Sequence, residues 1–234
     1  MFPLALLNAA SPPSPPSPPS PPVDPALTLV LLHFDGANNS TVFTDSSPFN
    51  QTVSVVTGTP KISTAMSKFG GSSLYLDGSS SIKIPNNANL NLGTGVFTIE
   101  FWFYLLSLPG SDVLFLHKIG TPQQIIAVGN PSGKAYGGFL YSTATSTTVI
   151  TTGAWYHVAE VRETENGIIK QYINGVHEGT LSSTGSVDNT GDLTIGSWFN
   201  GGSNRVTGYI DEFRIRKEAV YTTNFTPPTS AFTY

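Results

Sequence analysis

The sequence predicts an all-β protein: a two-sheet antiparallel sandwich of jelly-roll type, preceded by an extended N-terminal polyproline arm. Three observations carry this. No stretch shows a convincing helical period of 3.6 residues. Short runs of alternating or wholly apolar residues, on the order of a dozen, are split by Gly, Asn, Asp and Pro clusters, as in sandwiches and jelly rolls. The segment of different texture, residues 11–22, is a strict SPPSPPSPPSPP repeat.

That repeat divides the chain into an arm, residues 1–25, and a globular part, residues 26–234. Proline fixes φ and removes backbone donors, so the repeat reads as a polyproline II rod, roughly 37 Å long at 3.1 Å per residue. It serves either as a linker or as a ligand for a proline-binding domain. Ahead of it, Phe2, Leu4, Leu6 and Leu7 make a short apolar peptide. An apolar tip on a stiff rod suggests an arm that docks onto a partner subunit; the alternative is a frayed terminus. MFPLALLNAA lacks a positive n-region and is short for a secretion signal.

In the globular part, residues 29–34 are apolar on both faces, as in a buried strand. Asp45-Ser-Ser-Pro48 reads as a turn and residues 51–56 as a short strand. Residues 73–76 and 81–84 flank Asp77-Gly78, a strong turn signal. In VFTIEFWFY, residues 96–104, Phe97, Ile99, Phe101 and Phe103 share one face, the predicted core face, against Thr98, Glu100, Trp102 and Tyr104. Strand-like runs follow at 112–118, 124–128, 137–141 and 147–150. Residues 155–162 alternate again, with Trp155, His157, Ala159 and Val161 on the presumed core side. Residues 168–173 and 176–179 flank Asn174-Gly175, a type I′ hairpin signal. Residues 192–198 lead into a Gly- and Asn-rich loop, residues 200–204.

The closing segment, GYIDEFRIR at 208–216, organises the rest. Strict alternation places Tyr209, Asp211, Phe213 and Ile215 on one, core-directed face. A carboxylate there must be paired, hydrogen-bonded or metal-bound, because an isolated buried charge is very costly. Its expected companion is Asp35, where the first apolar run stops, so the first and last strands are expected to pair and close one domain.

Composition excludes several functions. The net charge is −4 and Lys/Arg residues form no cluster, which leaves no basic footprint for nucleic acid. There is no cysteine, hence no disulfide or thiolate site. No run reaches the ~18 apolar residues of a membrane-spanning helix. Charged residues are 11% of the chain, against roughly 25% in ordinary soluble proteins; Ser, Thr, Asn and Gly replace them, as in many extracellular and virion-surface β-proteins. His33, His117, His157 and His177 show no zinc-ligand spacing, and no GxSxG elbow is present. Glycoside hydrolysis needs two carboxyl groups about 5–9.5 Å apart in one cleft. Only Glu163 and Glu165 have a suitable spacing, beside an Asn166-Gly167 turn, where they read as a solvated pair. For glycan binding, exposed aromatics beside amides are wanted. Trp198, Phe199, Asn200 and Asn204 in GSWFNGGSN are the first candidates, with Tyr136 next; Trp198 could instead cap the sandwich edge.

LLHFDG (31–36), SKFGGSSLYLDG (67–78), FTIEFWFY (97–104), WYHVAEVRE (155–163), YINGV (172–176) and GYIDEFRI (208–215) resemble, in this order, the laminin-G-like, concanavalin A-like jelly rolls. The resemblance runs through most of residues 27–226. The tail RIRKEAVYTTNFTPPTSAF resembles versions of this domain in bacteriophage and other virion proteins. The resemblance implies two stacked antiparallel sheets and glycan or protein binding without catalysis. It also implies a structural calcium in some members, at positions matching Asp35 and Asp211. The alternative is that both aspartates accept backbone N–H bonds with no ion. The expected role is a non-catalytic, lectin-like module on a virion surface or otherwise extracellular, adhering to cell-surface glycans. The competing role is a capsid or tail decoration protein anchored to partner subunits by its arm. Homo-oligomerisation is compatible with either and specified by nothing in the residues.

Overall fold

The computed structural model describes residues 24–108, 113–118, 124–128, 133–139, 142–165, 167–181, 186, 191–198 and 201–234. Among these it forms fifteen strands in two sheets, with 3-10 turns but no α-helix. The first sheet has eight strands. Its path runs β13 (Val176–Leu181), β12 (Ile169–Ile173), β11 (Trp155–Arg162), β6 (Phe97–Leu105), β15 (Thr207–Arg216), β4 (Ser73–Asp77) and β3 (Lys61–Ser63), while β1 (Thr28–Leu32) also pairs with β15. The second has seven: β10 (Ser142–Val149), β9 (Lys134–Phe139), β8 (Gln124–Val128), β7 (Val113–Lys118), β14 (Leu193–Ile195), β5 (Ser81–Ile84) and β2 (Ser54–Thr57). All pairings are antiparallel, and the first and last strands do pair, Leu32 opposite Phe213. The architecture is the expected jelly-roll sandwich.

The core lies between the sheets. Phe97, Ile99, Phe101 and Phe103 are buried in it, as their alternation predicts. Phe101 stacks on Phe213 of the neighbouring strand, centroids 5.6 Å apart, and Phe103 meets Phe115 of the opposite sheet at 4.3 Å. Such ring pairs add to area burial and set the sheet spacing.

The closing strand departs from strict alternation. β15 pairs with β4 over Thr207–Ile210, then with β1 over Phe213–Arg216. At the handover its register with β6 shifts between Asp211 and Arg214, and Glu212 takes a left-handed φ of 53°. This β-bulge inverts the parity of the strand. Ile210, Phe213 and Ile215 therefore all join the core, whereas Asp211 faces outward beside Trp102. The expectation that Asp211 sits on the core face with Phe213 and Ile215 is corrected by that bulge.

The side of β11 assigned to the core is corrected too. Val158 pairs with Phe101 and enters the core, so His157, opposite Trp102, lies on the outer face of the first sheet. It is nevertheless buried, because residues 217–234 return across that face. Tyr221 and Phe225 pack on Ala159, Val161 and Tyr172, and Phe232 packs with Leu31 and Trp102. The tail makes a third, thin layer.

Under the tail lies a polar knot. Glu100, fully buried, accepts from Arg214 Nε (3.0 Å) and Nη2 (2.6 Å) and from Tyr221 Oη (2.8 Å), and bonds His157 Nε2 at 3.1 Å. Arg214 Nη1 donates to the Thr233 carbonyl (2.7 Å) and the guanidinium lies over the Phe232 ring. His157 is thus a hydrogen-bonded structural histidine.

A candidate ligand-binding cleft at one end of the sandwich

Antiparallel pairing brings the β4–β5 turn and the β14–β15 loop to the same end of the sandwich. In the turn, Asp77 accepts from Ser79 N–H (2.9 Å), Ser79 Oγ (2.8 Å) and Ser80 Oγ (2.6 Å). Burial pushes its carboxyl up, but the hydroxyls of Ser80 and Ser79 outweigh this and hold it below the usual value. Gly78, at φ 81°, donates its N–H to the Val206 carbonyl at 2.9 Å, joining turn to loop.

The loop closes on itself by backbone bonds. Val206 N–H meets the Gly196 carbonyl (3.0 Å), Trp198 N–H the Ser203 carbonyl (3.0 Å), and Gly202 N–H the Trp198 carbonyl (3.2 Å). Its tip needs left-handed residues, Gly201 at φ 76° and Asn204 at 61°. Arg205 locks it: Nε donates to the Gly202 carbonyl (2.9 Å) and Nη2 to that of Gly201. Between turn and loop opens a cleft of about 430 Å³ lined by Gly78, Gly201, Gly202, Ser203, Asn204, Arg205 and Thr207. Among the described residues its wall offers an amide, two hydroxyls, a guanidinium and glycine backbone, with no carboxylate.

Asn204 lines the cleft, whereas half-buried Trp198 is tied into the same loop through its backbone and is not among the lining residues. Phe199 and Asn200 lie outside the described residues. Tyr136 is placed in β9, three strands from β14 in the second sheet, away from the cleft; its side chain lies outside what is described. The arm residues Phe2, Leu4, Leu6 and Leu7 also lie outside. Sequence reasoning missed Ser203, Arg205, Thr207 and Gly78. The signal was present in Asp77-Gly78 and in GGSNR, but only strand order shows that these two turns adjoin.

Asp35 and Asp211 flank the β3–β4 connection. Asp211 Oδ2 accepts from Lys68 N–H (2.7 Å) and Phe69 N–H (3.1 Å), and Oδ1 from Glu212 N–H (2.9 Å). Burial pushes its carboxyl up to about 7, outweighing those bonds. Asp35 is exposed and lies directly over Gly70, where a Cβ would fall 1.9 Å from its Oδ1. Gly36 N–H donates to Ser72 Oγ (3.0 Å), which donates to the Phe34 carbonyl (3.1 Å). The LLHFDG, SKFGGS and GYIDEF segments are therefore one unit, in which Asp211 holds the loop's backbone and Asp35 lies against Gly70. Calcium takes six to eight oxygens. Here both oxygens of Asp211 serve N–H donors, and among the described residues no three His, Cys, Asp or Glu side chains converge. This donor set does not fit a calcium ion.

Glu163 and Glu165, the pair with suitable spacing in the sequence, do not line the described cleft. Glu163 is bound to Lys170 (2.7 Å) and Glu165 is exposed on the same turn. Glu212 holds His33 (3.0 Å) and the Phe232 N–H (2.7 Å).

Residues 76–223 match the family model for the concanavalin A-like lectin/glucanases superfamily. The chain belongs to that superfamily. No curated protein matches the sequence. Among solved structures, the binding domain of Paraclostridial mosquitocidal protein 1 is similar at a TM-score of 0.66 and 16% identity, covering 84% of this chain and 50% of that one. The botulinum neurotoxin serotype D binding domain is similar at 0.61 and 16%, covering 84% and 50%. This lectin/glucanase-superfamily chain thus spans about half the length of those two. Domain 4 of an extracellular arabinanase from Geobacillus stearothermophilus, solved with arabinotriose, is similar at 0.61 and 21%, covering 83% and 94%. At these identities the likeness is one of fold. Among the described residues, no helix is long and apolar enough to cross a membrane.

Proposed function

We propose that this chain is a non-catalytic glycan-binding module of a virion-surface protein, with its site in the cleft between the Asp77–Ser80 turn and the 196–206 loop. One observation carries the reading: among the described residues the cleft wall combines the hydrogen-bonding groups of Ser203, Asn204, Arg205 and Thr207 and contains no carboxylate. A glycosidase of this superfamily would need two. Concave sites of this kind recognise sugars through fixed amides, hydroxyls and backbone groups. The arabinanase domain solved with arabinotriose, similar along nearly its whole length, supports the same reading. The virion setting rests on the resemblance of the tail to virion domains and on the weakly charged, Ser/Thr/Asn-rich composition.

The test is a glycan array probed with the full chain, followed by titration of the best ligand against Asn204→Ala and Trp198→Ala. Binding weakened about tenfold or more by either change is expected. Release of reducing ends from soluble β-glucans, abolished by Glu163→Gln, would overturn the non-catalytic reading.

The Ser-Pro-Pro repeat preceded by an apolar peptide favours a second role, assembly onto partner subunits. Particles carrying full-length protein are compared with particles carrying residues 26–234. Retention of the full-length form alone makes the arm an anchor; equal retention makes the jelly roll the interacting surface.

A further inference from the structure

We infer that the cleft selects a carboxylate-bearing sugar, a uronic or other sugar acid, through the outer edge of Arg205; this rests on the glycan-binding reading above. The first observation is charge. Among the described residues the wall holds one ionisable side chain, and it is a guanidinium. The chain as a whole is acidic, with net charge −4, so a local cation is not part of a general basic surface. Asp77, the nearest acid along the chain, directs its carboxylate to three donors of Ser79 and Ser80 within its own turn.

The second observation is how Arg205 is held. Its Nε and Nη2 donate to the Gly202 and Gly201 carbonyls, which uses the side edge of the guanidinium. That fixes the plane and the rotamer, removing entropy a ligand would otherwise have to remove. The end edge, one N–H each from Nη1 and Nη2, has no partner among the described residues. Two parallel N–H groups match a planar carboxylate in bidentate geometry, whereas a lysine would present only a point charge. A neutral sugar could use Ser203, Asn204 and Thr207 but would leave this edge facing nothing but water.

The experiment titrates full-length protein with matched pairs: a galacturonic acid trimer and its methyl ester, sialyllactose and lactose, and a sulfated disaccharide and its desulfated parent. The expected result is about tenfold or greater preference for the acid within at least one carboxylate pair, weakening as salt rises. Arg205→Gln should bring that ratio close to one. Arg205→Lys, which keeps the charge without the fork, should lose most of it, and unchanged unfolding midpoints exclude a misfolded loop. Equal binding of acid and neutral partner would overturn the inference and leave glycan binding standing. Preference only within the sulfated pair would overturn the carboxylate assignment. No binding to any member, charged or neutral, would overturn this inference and, with a blank array, the glycan reading as well.

Discussion

Glutamine at position 100 isolates the charge of the knot beneath the C-terminal tail. Burial alone pushes the Glu100 carboxyl up, but Arg214 and then His157 outweigh it, holding the carboxyl at about 2 instead of 4.5. A depressed carboxyl contributes stability that is complete above the unfolded value and vanishes as pH falls through the folded one. The window is therefore pH 4.5 down to about 2, and the contribution at neutral pH is about 3 kcal/mol. Glu100→Gln keeps the shape but leaves Arg214 buried without its counter-charge, which costs about 3–5 kcal/mol in comparable cases. We expect a loss of about 3 kcal/mol at pH 7, or about 6–12 °C in Tm for a domain of this size. Urea unfolding followed by tryptophan fluorescence measures it, at pH 7 and again near pH 2, where the difference should close. Because removing both charges is far less harmful than removing one, Glu100→Gln combined with Arg214→Met should recover much of the loss. A single-variant loss under about 1 kcal/mol at pH 7, or one independent of pH, would refute the argument.

Gly175 sits at φ +78°, and a Cβ there would fall 1.9 Å from the Phe225 carbonyl oxygen. Gly175→Ala should cost about 2–3 kcal/mol and speed proteolysis of the tail, which the Phe225 N–H anchors to Gly175 at 2.9 Å. Asp211, raised by burial to about 7, contributes stability that is present below 3.8 and lost as pH rises through about 7. The wild-type advantage over Asp211→Asn should therefore shrink across that window in parallel urea titrations; a flat difference would contradict it. Chelation should leave Tm unchanged, since Asp211 is committed to N–H donors; a calcium-dependent rise removed by Asp35→Asn would show otherwise.

Much of the fold was legible because its cause is local. Alternation in FTIEFWFY marked the core side of β6, and Asn174-Gly175 marked a hairpin, realised with φ of 49° and 78°. Asn204 was legible as a site candidate because an amide beside aromatics in a glycine-rich loop suits sugar binding, whereas Trp198 read equally as an edge cap and does not line the cleft. Arg205 was not, since a lone arginine before a strand carries no signal until the Gly201 and Gly202 carbonyls are seen to hold it.

By itself the sequence determined the class, the pairing of first and last strands, and the absence of thiol chemistry. These follow from residue type and spacing within a few positions of the chain. Tertiary structure alone decided which way Asp211 points, because a bulge at Glu212 arises where β15 exchanges β4 for β1, and one inserted residue inverts every later side chain. It alone decided that His157 is buried on the outer face, since the cover comes from a tail more than sixty residues downstream. And it alone joined Asp77-Gly78 to the 196–206 loop as one cleft, because contact between turns so far apart depends on the order of strands in the sheets.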